Sequence, residues 1–553
     1  MHLHNHKPMQ TTRKSSAAKA FTADADTLGQ PSQERYLMPL SVIMLVAFAI
    51  RMLAAFFSKG YAFSDDHFDV ITIAQGWLDG FPLWLNEPMP PRHSMLYVLL
   101  HYGLFYTLEA MDIFSPEVKM TVVRVLHGLY SLLIVYFGYK ITERLSNKAN
   151  ARLVGLMLAL MWFMPFMSVR NLVEMVCIPP FMAAFYLMLR AEQNKKKRLM
   201  PYFWAGTLFA LSFVFRYHTM LMGAGAGLVL LYRRQWKEAI ALLLGFAVAA
   251  MLIQGTIDII YFDYPFHSIV AYFLYNTENA YNYSTGPVYR FLLTILGFLV
   301  PPVSVFLLFG YSRTAKLAPA IFWGGLIFFV AHSLFPNKQE RFILPLLPLI
   351  MILGVIGWQD FVRTSAFWNK RRKLLAGCWI FFWTINILAA VGLAFTYTKK
   401  SRVAPLVYLS EKPNMDAVVL EFGNHSVKTP PLFYLNHVSA DYDLYTIDDD
   451  MVWEDYLAGR KPLPEEFVMI YTLNGDKTTA ALDSAIQSTP YKPDYVVVVG
   501  TDEMEERMAR LRSLFPNLKL EYTITPSLYD RVLHFLNPRV HKDEHVQIYE
   551  VVR

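Results

Sequence analysis

Apolar runs long enough to span a bilayer recur through the first 396 residues, and no other feature restricts so severely what the chain can fold into. Only 17% of the 553 residues are charged, where a soluble protein of this length carries about a quarter, and 55% are hydrophobic. The fold class is a polytopic α-helical membrane protein. The net charge of +7 is read loop by loop, as topology, because the bases cluster beside membrane segments; it is no evidence for nucleic acid.

The expected spans are 36–57, 118–141, 152–168, 172–190, 201–216, 217–232, 238–261, 289–310, 317–335, 342–358 and 374–396, eleven in all. Residues 1–35 are expected to be a disordered cytoplasmic tail, in which His2, His4 and His6 are incidental. One segment decides the topology: Ser94–Ile113, apolar but carrying His101, Glu109 and Asp112. If it lies along the interface, every dense basic cluster falls on one side. These are Lys140/Arg144/Lys148/Arg152, Lys195–Arg198, Arg233/Arg234/Lys237, Arg313/Lys316 and Arg363/Lys370–Lys373. The positive-inside rule selects that reading, with the N-terminus inside and the C-terminus outside. Spans 201–216 and 217–232 are short, which places Arg216 below the membrane surface. Pro179-Pro180, Pro301-Pro302, Pro345 and Pro348 are expected to kink or break their helices.

The first outer loop carries Phe63-Ser64-Asp65-Asp66-His67-Phe68-Asp69 and is expected to run as loop to about His93. Acids at a membrane boundary are costly and mark working sites; the plain alternative is a solvated loop start. Outer-face cations are isolated: Lys59, Arg92, Arg170, Arg216, Arg290, Lys338 and Arg341. Snorkelling explains some of them. Their concentration on the face that holds the Asp pair suggests an anion pocket, since arginine bonds phosphate bidentately.

From 398 to 553 the composition changes. Apolar stretches at Met415–Phe422, Phe467–Leu473, Asp494–Val499, Leu520–Thr525 and Val546–Val552 read as strands, and Asp502–Phe515 reads as a helix. They make a small extracytoplasmic α/β domain without a GxGxxG or P-loop sequence. Cys177 and Cys378, the only cysteines, both lie in apolar segments, so the outer part has no disulfide framework. This scarcity favours a bacterial inner membrane with a periplasmic site over the ER membrane with a lumenal one. The sequons at Asn282 and Asn424 do not decide between them.

Carboxylates, cations and the aromatics around Tyr272–Tyr289 share one membrane face. Transfer of a sugar from a membrane-anchored phosphate fits them. Cations would stabilise the departing phosphate, a carboxylate would take the acceptor proton, and aromatic faces suit sugars and polyprenyl chains. No metal or other cofactor is required, and no metal-ligand spacing stands out. Two rival classes are a lipid-linked-sugar transporter, which would show internal repeats and midplane charges, and a non-catalytic receptor. Glucosyl, arabinosyl or galactosyl transfer remains open within the enzyme class.

These residues resemble glycosyltransferase family 22, the GT-C-type mannosyltransferases of N-glycan and GPI-anchor assembly. Phe63–Asp69 is similar to the family's His-Pro-Asp-Glu-His-Phe-Gln. Arg92-His93-Ser94 matches Arg-Ser before an interfacial helix, and Ser168–Asn171 with Glu174 and Phe215-Arg216 follow in order. Asn276 with Tyr283–Pro287 resembles Asn…Tyr-Gly-x-x-Pro-Trp. Asn337-Lys338-Gln339-Glu340-Arg341-Phe342-Ile343-Leu344-Pro345 resembles His-Lys-Glu-x-Arg-Phe-x-x-Pro, and Thr429-Pro430 echoes an outer-domain Thr-Pro. Asp66, Asn337 and Val288 stand where the family has Glu, His and Trp.

The resemblance implies a GT-C-like membrane domain over 36–397. The reaction it implies is inversion of a polyprenyl-phosphate mannose onto a glycan or glycolipid acceptor. Asp65 would be the general base and Asp66 would orient the acceptor. Lys338 and Arg341 would hold the phosphate, helped by Arg170 or Arg216. Arg92, Glu174, Tyr283 and Glu340 would complete the substrate site, with Glu340 paired to a nearby cation and His67 structural.

Overall fold

A computed structural model describes residues 38–80, 94–194, 199–262, 264–423, 431–437, 439–441, 467–474, 478–538, 541–542 and 544–553, without the side chains of 64–66, 440 and 441. The expected tail, Arg92, the Lys195–Arg198 cluster, the Asn424 sequon and Thr429-Pro430 lie outside these residues.

The membrane part begins with α1 (Leu40–Phe57), α2 (Ser64–Leu78), α3 (Met95–Glu109), α4 (Pro116–Leu145) and α5 (Lys148–Leu160). It continues with α6 (Val173–Gln193), α7 (Met200–Phe215), α8 (Met220–Tyr232) and α9 (Trp236–Tyr261). Next come α10 (His267–Glu278), α11 (Arg290–Phe298), α12 (Val303–Ser312), α13 (Pro319–Leu334), α14 (Glu340–Thr364) and α15 (Arg372–Ala394). Six of these, α1, α4, α6, α9, α14 and α15, are long and apolar enough to cross a membrane. Shorter helices occupy the other expected spans. Their shortness has local causes: Pro301-Pro302 separates α11 from α12, and Arg216, in extended backbone, separates α7 from the turn leading into α8.

Close helix contact depends on glycine, as between α7 and α9 and between α12 and α14. A Cβ on Gly245 of α9 would sit 1.9 Å from the Phe203 carbonyl of α7, and one on Gly357 of α14 would sit 2.0 Å from the Gly310 carbonyl of α12. Arg51 is a charge inside α1. It is fully buried and donates to the Leu158 carbonyl at 3.0 Å and Ser131 Oγ at 2.8 Å, meeting the open carbonyl end of α5.

The stretch expected to be loop after Phe63 is helix α2. His67, Val70, Ile71 and Ala74, spaced i, i+3, i+4 and i+7, bury one face of it. Two adjacent acids obscured that period, yet a helix's first turn favours carboxylates through its unsatisfied N–H groups. Helix α3 packs on α2, in the place where an interfacial helix was expected. Lys119 of α4 holds the two together, its Nζ lying 2.9 Å from Gln75 Oε1 of α2 and 2.6 Å from Glu109 of α3.

Beyond α15 lie α16 (Lys400–Leu409), β1 (Ala417–Glu421), β2 (Ser439–Asp441), β3 (Val468–Leu473) and α17 (Thr479–Gln487). β4 (Pro493–Val499), α18 (Met504–Leu514), β5 (Leu518–Ile524), α19 (Leu528–Leu536) and β6 (Val546–Val551) complete the domain. The sheet order is β2-β3-β1-β4-β6-β5, with β2, β3, β1 and β4 parallel and β6 antiparallel to both neighbours. β1 and β3 are buried along their whole length, which is why they are apolar but for Glu421 and Thr472. Strands β1, β3, β4, β5 and β6 and helix α18 were expected; β2, α16, α17 and α19 were not.

The domain does not stand apart from the membrane part. Val70, Ile71, Tyr97, Phe105 and Met120 form one core with Leu406, Val418, Leu420, Phe433 and Ile470. Within the sheet layer, Arg507 and Glu421 are a fully buried bidentate pair, and Arg507 also donates to the Val499, Gly500 and Asp502 carbonyls. Removing one partner strands the other charge. Arg507→Met is therefore expected to lower the unfolding free energy of the outer domain by about 3–5 kcal/mol. Thermal unfolding of the full chain in detergent checks this; an unchanged transition would refute it.

Candidate active site

Glu174 is the centre on which two of the isolated cations converge. It lies in the first turn of α6, fully buried. Arg216 Nη2 is 3.2 Å and Arg341 Nε is 3.8 Å from its Oε1. Both arginines are themselves buried. Phe342 lies beneath them: the guanidinium carbons of Arg216 and Arg341 stand 4.9 and 5.6 Å from its ring centre. Arg341 also stands 5.3 Å from the ring centre of Phe63, the residue that caps the N-terminus of α2. The helix turn carrying Asp65 and Asp66 begins at the next residue.

The other cations have different work. Arg170 donates to the Ser58 carbonyl at 2.6 Å, Ser58 Oγ at 2.7 Å, the Gly60 carbonyl at 3.1 Å and the Lys59 carbonyl at 3.2 Å. It thereby fixes the turn that delivers the chain to α2. Lys338 Nζ donates to the His332, Ser333 and Phe335 carbonyls at the C-terminus of α13, where orphan carbonyls and the helix dipole favour a cation. Desolvation, with Arg290 nearby, draws its pKa below the ordinary lysine value. Lys59 pairs with Glu117 at 3.0 Å, and Arg290 with Glu340 at 2.7 Å. The expected cations thus divide by their contacts: Arg216 and Arg341 gather around Glu174, while Arg170, Lys338, Lys59 and Arg290 bond other groups.

Two of the motifs are brought together by backbone. Lys338 N–H donates to the Ser284 carbonyl at 2.8 Å, and Thr285 and Asn337 form an antiparallel bridge. Tyr283 meets Tyr275 hydroxyl to hydroxyl beside this bridge. His218 and His332 were missed by the sequence reading. Their rings lie 5.0 Å apart between Tyr272 and Phe342, next to Arg216 and Lys338. Only their closeness along the chain to those two cations could have signalled them.

His67, expected to be structural, is buried against the C-terminal domain. Its Nε2 lies 2.9 Å from the Tyr434 hydroxyl, and its ring stacks on Tyr61 at 5.4 Å, so it joins α2 to the outer domain. Burial, then the nearby Arg170, His101 and Arg124, hold its pKa well below 6.5. Folding therefore favours the neutral ring. The stability this contributes is complete above about pH 6.5 and is lost as pH falls below it, where the unfolded chain binds the proton. The wild-type melting temperature is expected to drop between pH 7.5 and 5.5, and the drop to shrink in His67→Gln. Equal drops would refute the assignment.

The membrane helix bundle, with its broken helices and its C-terminal α/β domain, has GT-C architecture. The fold agrees: ArnT from Cupriavidus metallidurans, solved bound to undecaprenyl phosphate, superposes with a TM-score of 0.54 at 13% identity, covering 93% of this chain and 98% of that one. The chain belongs to the Alg9-like mannosyltransferase family, whose model matches residues 42–435. It is 24% identical to GPI mannosyltransferase 3 of Yarrowia lipolytica over 435 residues, 75% of this chain and 80% of that protein. It is also 24% identical to alpha-1,2-mannosyltransferase Alg9 of Drosophila melanogaster over 309 residues, 50% and 46% of the two chains.

Proposed function

We propose that the protein transfers mannose from a polyprenyl-phosphate donor to a hydroxyl of a glycan or glycolipid, on the non-cytoplasmic face of its membrane. The observation that carries this is the stacking of Arg341 on Phe63, which sets a buried cation beside the helix start that bears Asp65 and Asp66. Asp65 takes the acceptor hydroxyl proton as the acceptor oxygen bonds to the anomeric carbon. Asp66 orients that acceptor. The bond from the anomeric carbon to the phosphate oxygen breaks on the opposite side, inverting the configuration. The phosphate leaves with one more negative charge than it arrived with, and Arg341 and Arg216 stabilise it. Glu174 keeps the two arginines together before the anion arrives. Arg170 and Lys338 act through the backbone they hold, and Tyr283 with Glu340 borders the substrate side.

The homologues' names support mannose, and the likeness to ArnT, solved with undecaprenyl phosphate, supports a polyprenyl-phosphate donor, whose negative charge suits the arginine pair. The named relatives are fungal and insect proteins. The bacterial inner-membrane expectation finds no support among them, so the membrane face, and not the organelle, is the reading adopted. Purified protein given labelled polyprenyl-phosphate mannose and a panel of mannosylated glycolipids is expected to release polyprenyl phosphate and label one acceptor class. Donor binding without transfer to any acceptor would overturn the reading.

A further inference from the structure

Helix α19 is built the wrong way round for a helix on a domain surrounded by water. Its outward stripe is Leu528, Val532, Phe535 and Leu536, spaced i, i+4, i+7 and i+8 and exposed by 70, 46, 85 and 70%. None of its nine residues is buried. Its polar groups instead bond close to the backbone: Ser527 Oγ accepts the Asp530 N–H at 3.2 Å and donates to its carboxylate at 2.7 Å. His534 Nδ1 donates to the His541 carbonyl at 2.6 Å. A contiguous apolar face of this kind marks contact with another apolar phase.

Its position names that phase. Phe57, ending α1, and Phe395, following α15, pack with ring centres 5.3 Å apart, so the first and last spans end at one level. Thr398 N–H donates to the Lys59 carbonyl at 3.1 Å just beyond that level. Helix α16 starts at Lys400, and its Ser401 hydroxyl bonds Glu544, on the segment that leads from α19 into β6. The charge of Lys399 acts on Asp530 of α19 itself. Helix α19 therefore lies beside the first residues to emerge from the last span. Lys399, Lys400 and Arg531 add positive charge there, which suits anionic headgroups. A short amphipathic helix with basic neighbours at the membrane edge has the features of an interfacial element.

We propose that α19 lies in the outer leaflet of the bilayer, with Leu528, Val532, Phe535 and Leu536 among the acyl chains, and seats the outer domain on the lipid surface. This goes beyond the transfer reading and does not depend on it. The only cysteines are the buried Cys177 and the half-buried Cys378. A Cys378→Ser/Phe535→Cys chain can therefore carry a polarity-sensitive fluorophore at 535, and Cys378→Ser/Ser513→Cys on α18 serves as the water-facing reference. In nanodiscs containing spin-labelled lipid, the label at 535 is expected to emit at shorter wavelength. It should be quenched by the lipid at least about threefold more strongly than the label at 513. Quenching by aqueous iodide and not by lipid would overturn the proposal. Protection from both quenchers would also overturn it, because a second copy or another protein would then cover the helix.

Discussion

Asp65→Asn is expected to reduce sugar transfer by about 10²–10⁴-fold, the usual contribution of a positioned general base. The amide keeps the size of the carboxylate and cannot accept the acceptor proton. Because the donor phosphate is read as held by Arg341 and Arg216, donor affinity should stay within a few-fold of wild type. Asp66→Asn is expected to act mainly on the acceptor KM, consistent with an orienting role. Transfer rates from labelled polyprenyl-phosphate mannose, with donor binding measured separately, check both. Full activity in Asp65→Asn would remove Asp65 from catalysis. Equal losses of kcat in the two variants would show that the pair works as a unit, not in the two roles assigned.

The second large effect concerns Glu174. Its carboxylate is buried between Arg216, at 3.2 Å, and Arg341, at 3.8 Å. Glu174→Gln leaves two buried cations facing each other, and removing one partner of a buried ion pair costs about 3–5 kcal/mol. A marked fall in melting temperature in detergent is the expected result. A double variant, Glu174→Gln/Arg216→Gln, should regain part of the loss, since the repulsion then disappears. A second consequence separates an anion site from a purely structural network. Polyprenyl phosphate supplies the negative charge that the variant lacks. It should therefore raise the melting temperature of Glu174→Gln by more than it raises that of wild type. An equal rise in both would detach the arginine pair from the donor.

Much of this site was legible in the chain, one residue at a time. Arg216, Glu174 and Arg341 each stood out as a charge in or beside a short turn between apolar spans, and charges so placed often mark working sites. Their convergence was not legible, because they come from α6, from the break between α7 and α8, and from the start of α14. Arg170 and Lys338 looked equivalent to them in sequence. The structure separates the two groups: Arg170 and Lys338 donate to carbonyls left open at the tight turn at 58–60 and at the end of α13. Arg51 shows the same demand at the C-terminal end of α5. The helical period of α2 was present in His67, Val70, Ile71 and Ala74, but the acids at its start drew the reading toward a loop. Helix α19 went unread because its apolar stripe faces outward, where no partner in the chain reveals it.

The sequence by itself determined that the chain is a membrane helix bundle and where most strands of the C-terminal domain lie. Hydrocarbon demands long apolar segments, and a buried parallel strand must be apolar on both faces. Only the tertiary structure decided which cations gather around Glu174 and which hold the backbone in place. That outcome depends on where carbonyls are left without partners once the helices have packed, and one-dimensional spacing carries no record of it.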